Sequence, residues 1–253
     1  MGPSGRGHDH QATAGGAPDD QVLTVHVAGG SSDRVLYTAP AHAVATIVML
    51  PGGSGQVGVA SDGKVRFDDD FLVRTRADWV DRGYAVLIPD TIDHGNLRGE
   101  RSTPAYASVV DQLVTLAHAT RPVPVFLMGT SQGSIAAVNG AAHSAPGAVA
   151  GVILTESVSR MGHSGETVFS ADPRDVRVPA LVLANGDDRC DVAPPQDASR
   201  IAGAMAQASV HVATVRGGVD RSGNPCGSLS PHGYYGVEST VEGLVDGWMR
   251  GHL

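Results

Sequence analysis

From residue 43 onward, short apolar runs alternate with longer amphipathic segments, and this alternation restricts the fold more than any other feature. "AVATIVML" (43–50), "YAVLIPD" (84–90), "VPVFLMG" (123–129), "AVAGVILTE" (148–156), "VPALVLANG" (178–186) and "SVHVATV" (209–215) read as buried strands. Between them, "FDDDFLVRTRADWVDRG" (67–83) reads as one helix, acidic in its first turn and closed by Gly83. "TPAYASVVDQLVTLAHAT" (103–120) is a second helix, with Thr103 as N-cap and Pro104 at the first helical position. "SQGSIAAVNGAAH" (131–143), "PPQDASRIAGAMAQA" (194–208) and "GVESTVEGLVDGWMRGHL" (236–253) complete the helical set. Strand followed by helix, repeated, predicts an α/β fold: a mostly parallel central sheet with helices on both faces. Ahead of it, "QVLTVHVAG" and "DRVLYTAP" flank a Gly-Gly-Ser-Ser turn, which predicts antiparallel N-terminal strands.

No internal repeat or linker divides the chain, so residues 21–253 are expected to form a single domain. Residues 1–20, rich in Gly, Pro, Ala and Asp, read as a disordered leader or tag remnant, and His8 and His10 within it as incidental. That stretch has no apolar core of the kind a signal peptide carries. Aromatic residues are only 4% of the 253, so the core must be built from aliphatic and small side chains. A net charge of −8, one lysine (Lys64) and scattered arginines argue against nucleic acid as a partner, because phosphate tracking needs clustered cations. No apolar run approaches the roughly 20 residues that span a bilayer.

In open parallel sheets, ligands bind beyond the carboxyl ends of the strands. Chemistry is therefore sought directly after each apolar run: "PGGSG", "PDTIDHG", "GTSQG", "NGDDRCD" and "RGGVDRSGNPCGSLSPHGYYG". Ser131 stands in the only complete Gly-x-Ser-x-Gly of the chain, at a strand-to-helix corner. Such a corner lifts a serine hydroxyl above the sheet, with glycine flanks leaving room for the sharp turn. A serine hydroxyl needs a base within hydrogen-bond reach, and the base needs a carboxylate to fix its tautomer. His232 is the candidate base, being the only histidine between the last strand and the terminal helix; His26 and His211 fall within strands, His118 on a helix. Asp187, Asp188 and Asp191 share one loop, and spacing does not choose among them. An oxyanion would be held by the amide of Gln132, directly after the serine, and by one from "PGGSG", Gly53 or alternatively Ser54.

These residues, in the order Ser, Asp, His, give the chain a resemblance to the α/β-hydrolase family over roughly residues 20–253. The ending is similar to a group of bacterial exported hydrolases, in which Asp-x-Cys is followed by Pro-Pro and a second cysteine precedes the histidine as Cys-Gly…His-Gly. Here these read "DDRCDVAPP" (187–195) and "CGSLSPHGYYGVE" (226–238). The resemblance implies Asp188 as the acid, with Asp191 the next choice. It implies hydrolysis of a small-molecule carboxylic ester through an acyl-enzyme, with no metal or organic cofactor. Amide, thioester or lactone cleavage on the same residues, or a non-catalytic binding module, are the alternatives. Pro51 stands where many relatives carry histidine, a departure that leaves a backbone donor intact.

The resemblance further implies a Cys190–Cys226 disulfide tying the acid loop to the histidine loop. It would close roughly 37 residues and contribute about 3–4 kcal/mol on the chain-entropy model. An oxidising, exported setting would follow; two buried thiols in a cytosolic protein is the alternative. Arg98 and Arg101, in "TIDHGNLRGERSTPAY" (91–106), are expected in a solvated rim loop, with a substrate carboxylate as their other use. "SVSRMGHSGETVFSADPRDV" (157–176) is too short and polar for a large lid.

Overall fold

The apolar runs form the middle of an eight-stranded sheet. The structure, a computed structural model, describes residues 20–27 and 29–253; of the expected leader, residues 1–19, including His8 and His10, lie outside the described residues. The strands are β1 (Gln21–His26), β2 (Ser32–Thr38), β3 (Ala45–Leu50), β4 (Tyr84–Pro89), β5 (Val125–Thr130), β6 (Gly151–Thr155), β7 (Ala180–Asn185) and β8 (Val210–Val215). Their spatial order is β1-β2-β4-β3-β5-β6-β7-β8. β1 pairs with β2 and β2 with β4 in antiparallel fashion. All other pairings are parallel. The antiparallel start and parallel body thus match the sequence pattern. β3 to β7 are buried along their whole length, as continuous apolar runs require, whereas the edge strand β8 is largely exposed.

Helices cover both faces. On one side α3 (Pro104–Thr120), α4 (Gly133–Ala142) and α5 (Ala198–Ala204) pack Tyr106, Leu113, Ile135, Val138 and Ile201 onto Val48, Leu127 and Val152. On the other, α1 (Phe71–Arg74), α2 (Arg76–Asp81) and α6 (Glu238–Arg250) set Phe71, Trp79, Val241 and Met249 against Ile47, Phe126 and Leu181. No helix among the described residues is long and apolar enough to cross a membrane. The β6–β7 connection holds only two short 3₁₀ turns, Val168–Ser170 and Pro173–Asp175, so no large lid is built there.

Two helices differ from the expected spans. The segment 67–83 contains α1 and α2, separated at Thr75, and the acidic residues before Asp70 stay outside. Thr75 Oγ donates to the Phe71 carbonyl (2.7 Å) and accepts from the Trp79 indole (3.2 Å), so the break is stabilised by its own side chain. Asp70 caps α1 through the Leu72 amide at 2.9 Å. In 194–208 the consecutive prolines begin a 3₁₀ turn, Pro195–Asp197, and only Ala198–Ala204 is α-helical.

Candidate active site

β5 ends at Thr130 and α4 begins at Gly133, leaving Ser131 and Gln132 to make the corner. Ser131 adopts φ 51°, a left-handed conformation that L-residues rarely hold. Its amide is anchored to the Thr155 carbonyl on neighbouring β6 (2.9 Å). The flanking glycines are required by contact: a Cβ on Gly129 would stand 2.2 Å from the Gly133 carbonyl oxygen, and one on Gly133 1.9 Å from that of Leu50. No side chain fits at either place, so the corner is as tight as the motif suggests.

His232 sits in a 3₁₀ turn, Pro231–Gly233, capped by Ser230. Its Nε2 lies 2.8 Å from Ser131 Oγ and its Nδ1 2.7 Å from Asp188 Oδ2. With Nδ1–H donating to the carboxylate, Nε2 is left to accept the serine proton. Both His232 and Asp188 are buried. Burial opposes ionisation of Asp188, but His232 and the Cys190 amide, which donate to it, help hold the carboxyl below the usual range. The other aspartates of the loop are exposed. Asp187 accepts from the Gly217 amide at 2.7 Å, a bond that braces the exit of β8.

The histidine loop is tied down from several directions. Cys190 and Cys226 are joined in a disulfide. Arg74 donates to the Gly233 carbonyl (2.5 Å) and pairs with Glu238 at 3.0 Å. Asn185 Nδ2 donates to the carbonyls of Gly217 and Pro231 at 2.9 and 3.1 Å. The Tyr234 hydroxyl donates to the Leu183 carbonyl at 3.0 Å.

Gly52, Gly53, Thr130, Ser131, Cys226, Ser228 and His232 line a cavity of ≈ 70 Å³. It adjoins a ≈ 370 Å³ hollow that shares Gly52, Gly53, Asp70 and Ser228 and adds Gln56, Phe67 and Asp68. The Gly52 amide is taken by Asp70 Oδ2 (2.9 Å). The amides of Gly53 and Gln132 have no acceptor among the described residues. The Ser54 amide likewise has no acceptor among the described residues, while its carbonyl accepts from the Leu97 amide (2.9 Å).

Arg101 departs from the sequence expectation. It is neither solvated nor turned toward a ligand: it is only 1% exposed. Its guanidinium donates to the carbonyls of Gly53 (2.9 Å), Pro51 (3.0 Å) and Gly52 (3.4 Å). Burial pushes it down to about 10, so it remains cationic at neutral pH. Glu166 supports the same turn by accepting from the amides of Gly99, Arg101 and Ser102. Arg98 is exposed, close to Gly53, in keeping with the solvated reading.

Glu156 was also not singled out from the sequence, where it reads as the polar end of a strand. It is 1% exposed, with φ 46°. Its Oε1 accepts from the Asn185 amide at 2.5 Å. Ligand atoms of Glu156, Asp188 and His232 all lie within 4.8 Å of one another. Burial first, and then the neighbouring Asp188, push the Glu156 carboxyl well above the ordinary range.

No family model matches the sequence, and no curated protein matches it. Solved structures do match in shape. Dipeptidyl peptidase 4 of Porphyromonas gingivalis superposes with a TM-score of 0.64 at 12% identity, over 94% of this chain and 36% of that one. The chain thus spans about a third of that peptidase's length. Dienelactone hydrolase of Anabaena variabilis gives 0.62 at 18% identity, over 94% and 99% of the two chains. An esterase of Pyrococcus furiosus gives 0.64 at 9% identity, over 93% and 91%. Sheet order, crossing helices and these likenesses together give the chain the α/β-hydrolase fold.

Proposed function

We propose that the chain is a serine hydrolase that cleaves a carboxylic ester of a small molecule through an acyl-enzyme. The observation that carries this is the continuous Ser131–His232–Asp188 hydrogen-bond chain, at 2.8 and 2.7 Å, beside an open cleft at the carboxyl ends of the strands. Ser131 Oγ attacks the carbonyl carbon while His232 Nε2 takes its proton. His232 then delivers that proton to the leaving alkoxide, and water enters by the reverse sequence to release the acid. Asp188 holds the imidazole's Nδ1–H outward from the serine and stabilises the imidazolium. The amides of Gly53 and Gln132 receive the tetrahedral oxyanion, a role supported by their lack of any other acceptor. Arg101 keeps the first of these in place by gripping the carbonyls of the same loop. The disulfide supports an exported, oxidising setting.

A panel of p-nitrophenyl esters of graded acyl length, set against aminoacyl anilides and lactones, tests the reading. Ester turnover should exceed anilide turnover, should fall by about 10³-fold or more in Ser131→Ala, and a fluorophosphonate should label Ser131. Unaltered turnover in that variant removes the mechanism; no turnover and no labelling favours a binding module on a hydrolase scaffold. Preferential lactone or anilide cleavage keeps the mechanism and changes the substrate.

A further inference from the structure

Asp188 and Glu156 are two buried carboxyl groups with oxygens within 4.8 Å of each other, short of positive charge. Of the groups facing Glu156, Asp188 comes from the loop after β7, and His232 and Tyr234 from the loop after β8; Asn185 closes the end of β7. Only His232 among them can carry a positive charge, and its Nδ1–H is directed at Asp188. The Tyr234 hydroxyl directs its one proton to the Leu183 carbonyl. Glu156 Oε1 is bonded to the Asn185 amide, while Oε2 is shielded from solvent and finds no donor or ordinary acceptor. Two adjacent carboxylate oxygens without a donor between them repel, and one proton shared across the gap removes the conflict.

We propose that Glu156 is a neutral positioning residue: its Oε2–H donates to the Asp188 carboxylate, so that Asp188 is oriented toward His232 from behind. The proposal rests on the Ser131–His232–Asp188 reading. Direction and strain agree with it. Burial, and then the neighbouring Asp188, favour the protonated form of Glu156, and the left-handed backbone at φ 46° turns the side chain inward at the point where β6 ends. The oxygen that lacks a partner among the side chains of the site is then satisfied, and Asp188 gains a donor in addition to His232 and the Cys190 amide.

The test compares pH profiles of kcat/KM for wild type, Glu156→Met and Glu156→Gln. Glu156→Met should lower kcat by about 10- to 100-fold with KM within about twofold, and should move the acidic midpoint upward by about half a pH unit, because an unrelieved Asp188 charge favours the imidazolium. Glu156→Gln, which keeps a neutral donor of similar shape, should recover most of that loss and leave the midpoint within about 0.3 unit. An ionised Glu156 predicts the opposite sign: Gln would remove a negative charge and lower the midpoint, which overturns the proposal. So does a Met variant with unchanged kcat and midpoint. Should Met fail to fold by circular dichroism, infrared spectroscopy decides: a protonated-carboxyl carbonyl band at neutral pH that vanishes in Glu156→Gln supports the proposal, and its absence refutes it. That band does not depend on turnover, whereas loss of the triad reading appears as full activity in Ser131→Ala.

Discussion

The two halves of the site are immobilised by different means. Ser131 and its neighbouring amides are held by backbone: a corner between β5 and α4, glycines packed against carbonyl oxygens, and an amide bonded to β6. Asp188 and His232 ride on loops beyond β7 and β8 and are held by side chains and one covalent bond. The difference follows from position. A group at the end of a central strand inherits order from the sheet, whereas a group several residues beyond an edge must be tied separately. Arg101 crosses this division, being a side chain that fixes a backbone loop on the serine side.

Four variants and a control probe the contrast. The largest loss should come from Asp188→Asn, about 10⁴-fold in kcat, because an amide favours the wrong imidazole tautomer; steady-state kinetics on the best ester measures it. Arg101→Met should cost about 100-fold in kcat with the acidic limb of the pH profile unmoved, since it loosens the proposed oxyanion amide and leaves the proposed acid–base pair intact. A shifted limb would mean the halves are not independent. The double Cys190→Ser, Cys226→Ser variant should lose about 3–4 kcal/mol of stability, about 6–15 °C in Tm, with kcat/KM below that temperature changed by less than about tenfold.

Asp33 supplies a pH test outside both halves. Burial, and then Asp90 beside it, push its carboxyl up to about 8. The folded state therefore keeps a proton that the unfolded chain releases near pH 4. Stability from this group is full below that pH and is lost as pH rises through about 8. Asp33→Asn should leave Tm unchanged below about pH 4 and raise it by several degrees above pH 8, in thermal melts across the range. The smallest effect is expected from Asp187→Asn, within about threefold in kcat/KM, as its bond to the Gly217 amide lies off the proposed proton path.

The mostly parallel sheet, its antiparallel entry and the helices on both faces were legible because apolar periodicity encodes burial directly; the spatial order of the strands was not. Ser131 was legible because a strand-to-helix corner confines the residue types at its flanks, and His232 because of its place after the last strand. The interrupted helix at Thr75 was not, since the side-chain bonds that stabilise the break have no signature in periodicity. Arg101 was read as solvent-facing because its neighbours are polar; what buries it is Glu166, 65 residues away, gathering the amides of its turn. Glu156 escaped for a related reason. A polar residue after an apolar run reads as the point where the chain meets water, and only the fold reveals that the loops of β7 and β8 close over it.

The Cys190–Cys226 bond brackets the exposed stretch 218–225, between the acid on one side and the histidine on the other. A protease that nicks this stretch would therefore release no fragment under non-reducing conditions. The two pieces, one bearing Asp188 and the other His232, would travel as a single molecule, and the cut would become visible only on a reducing gel.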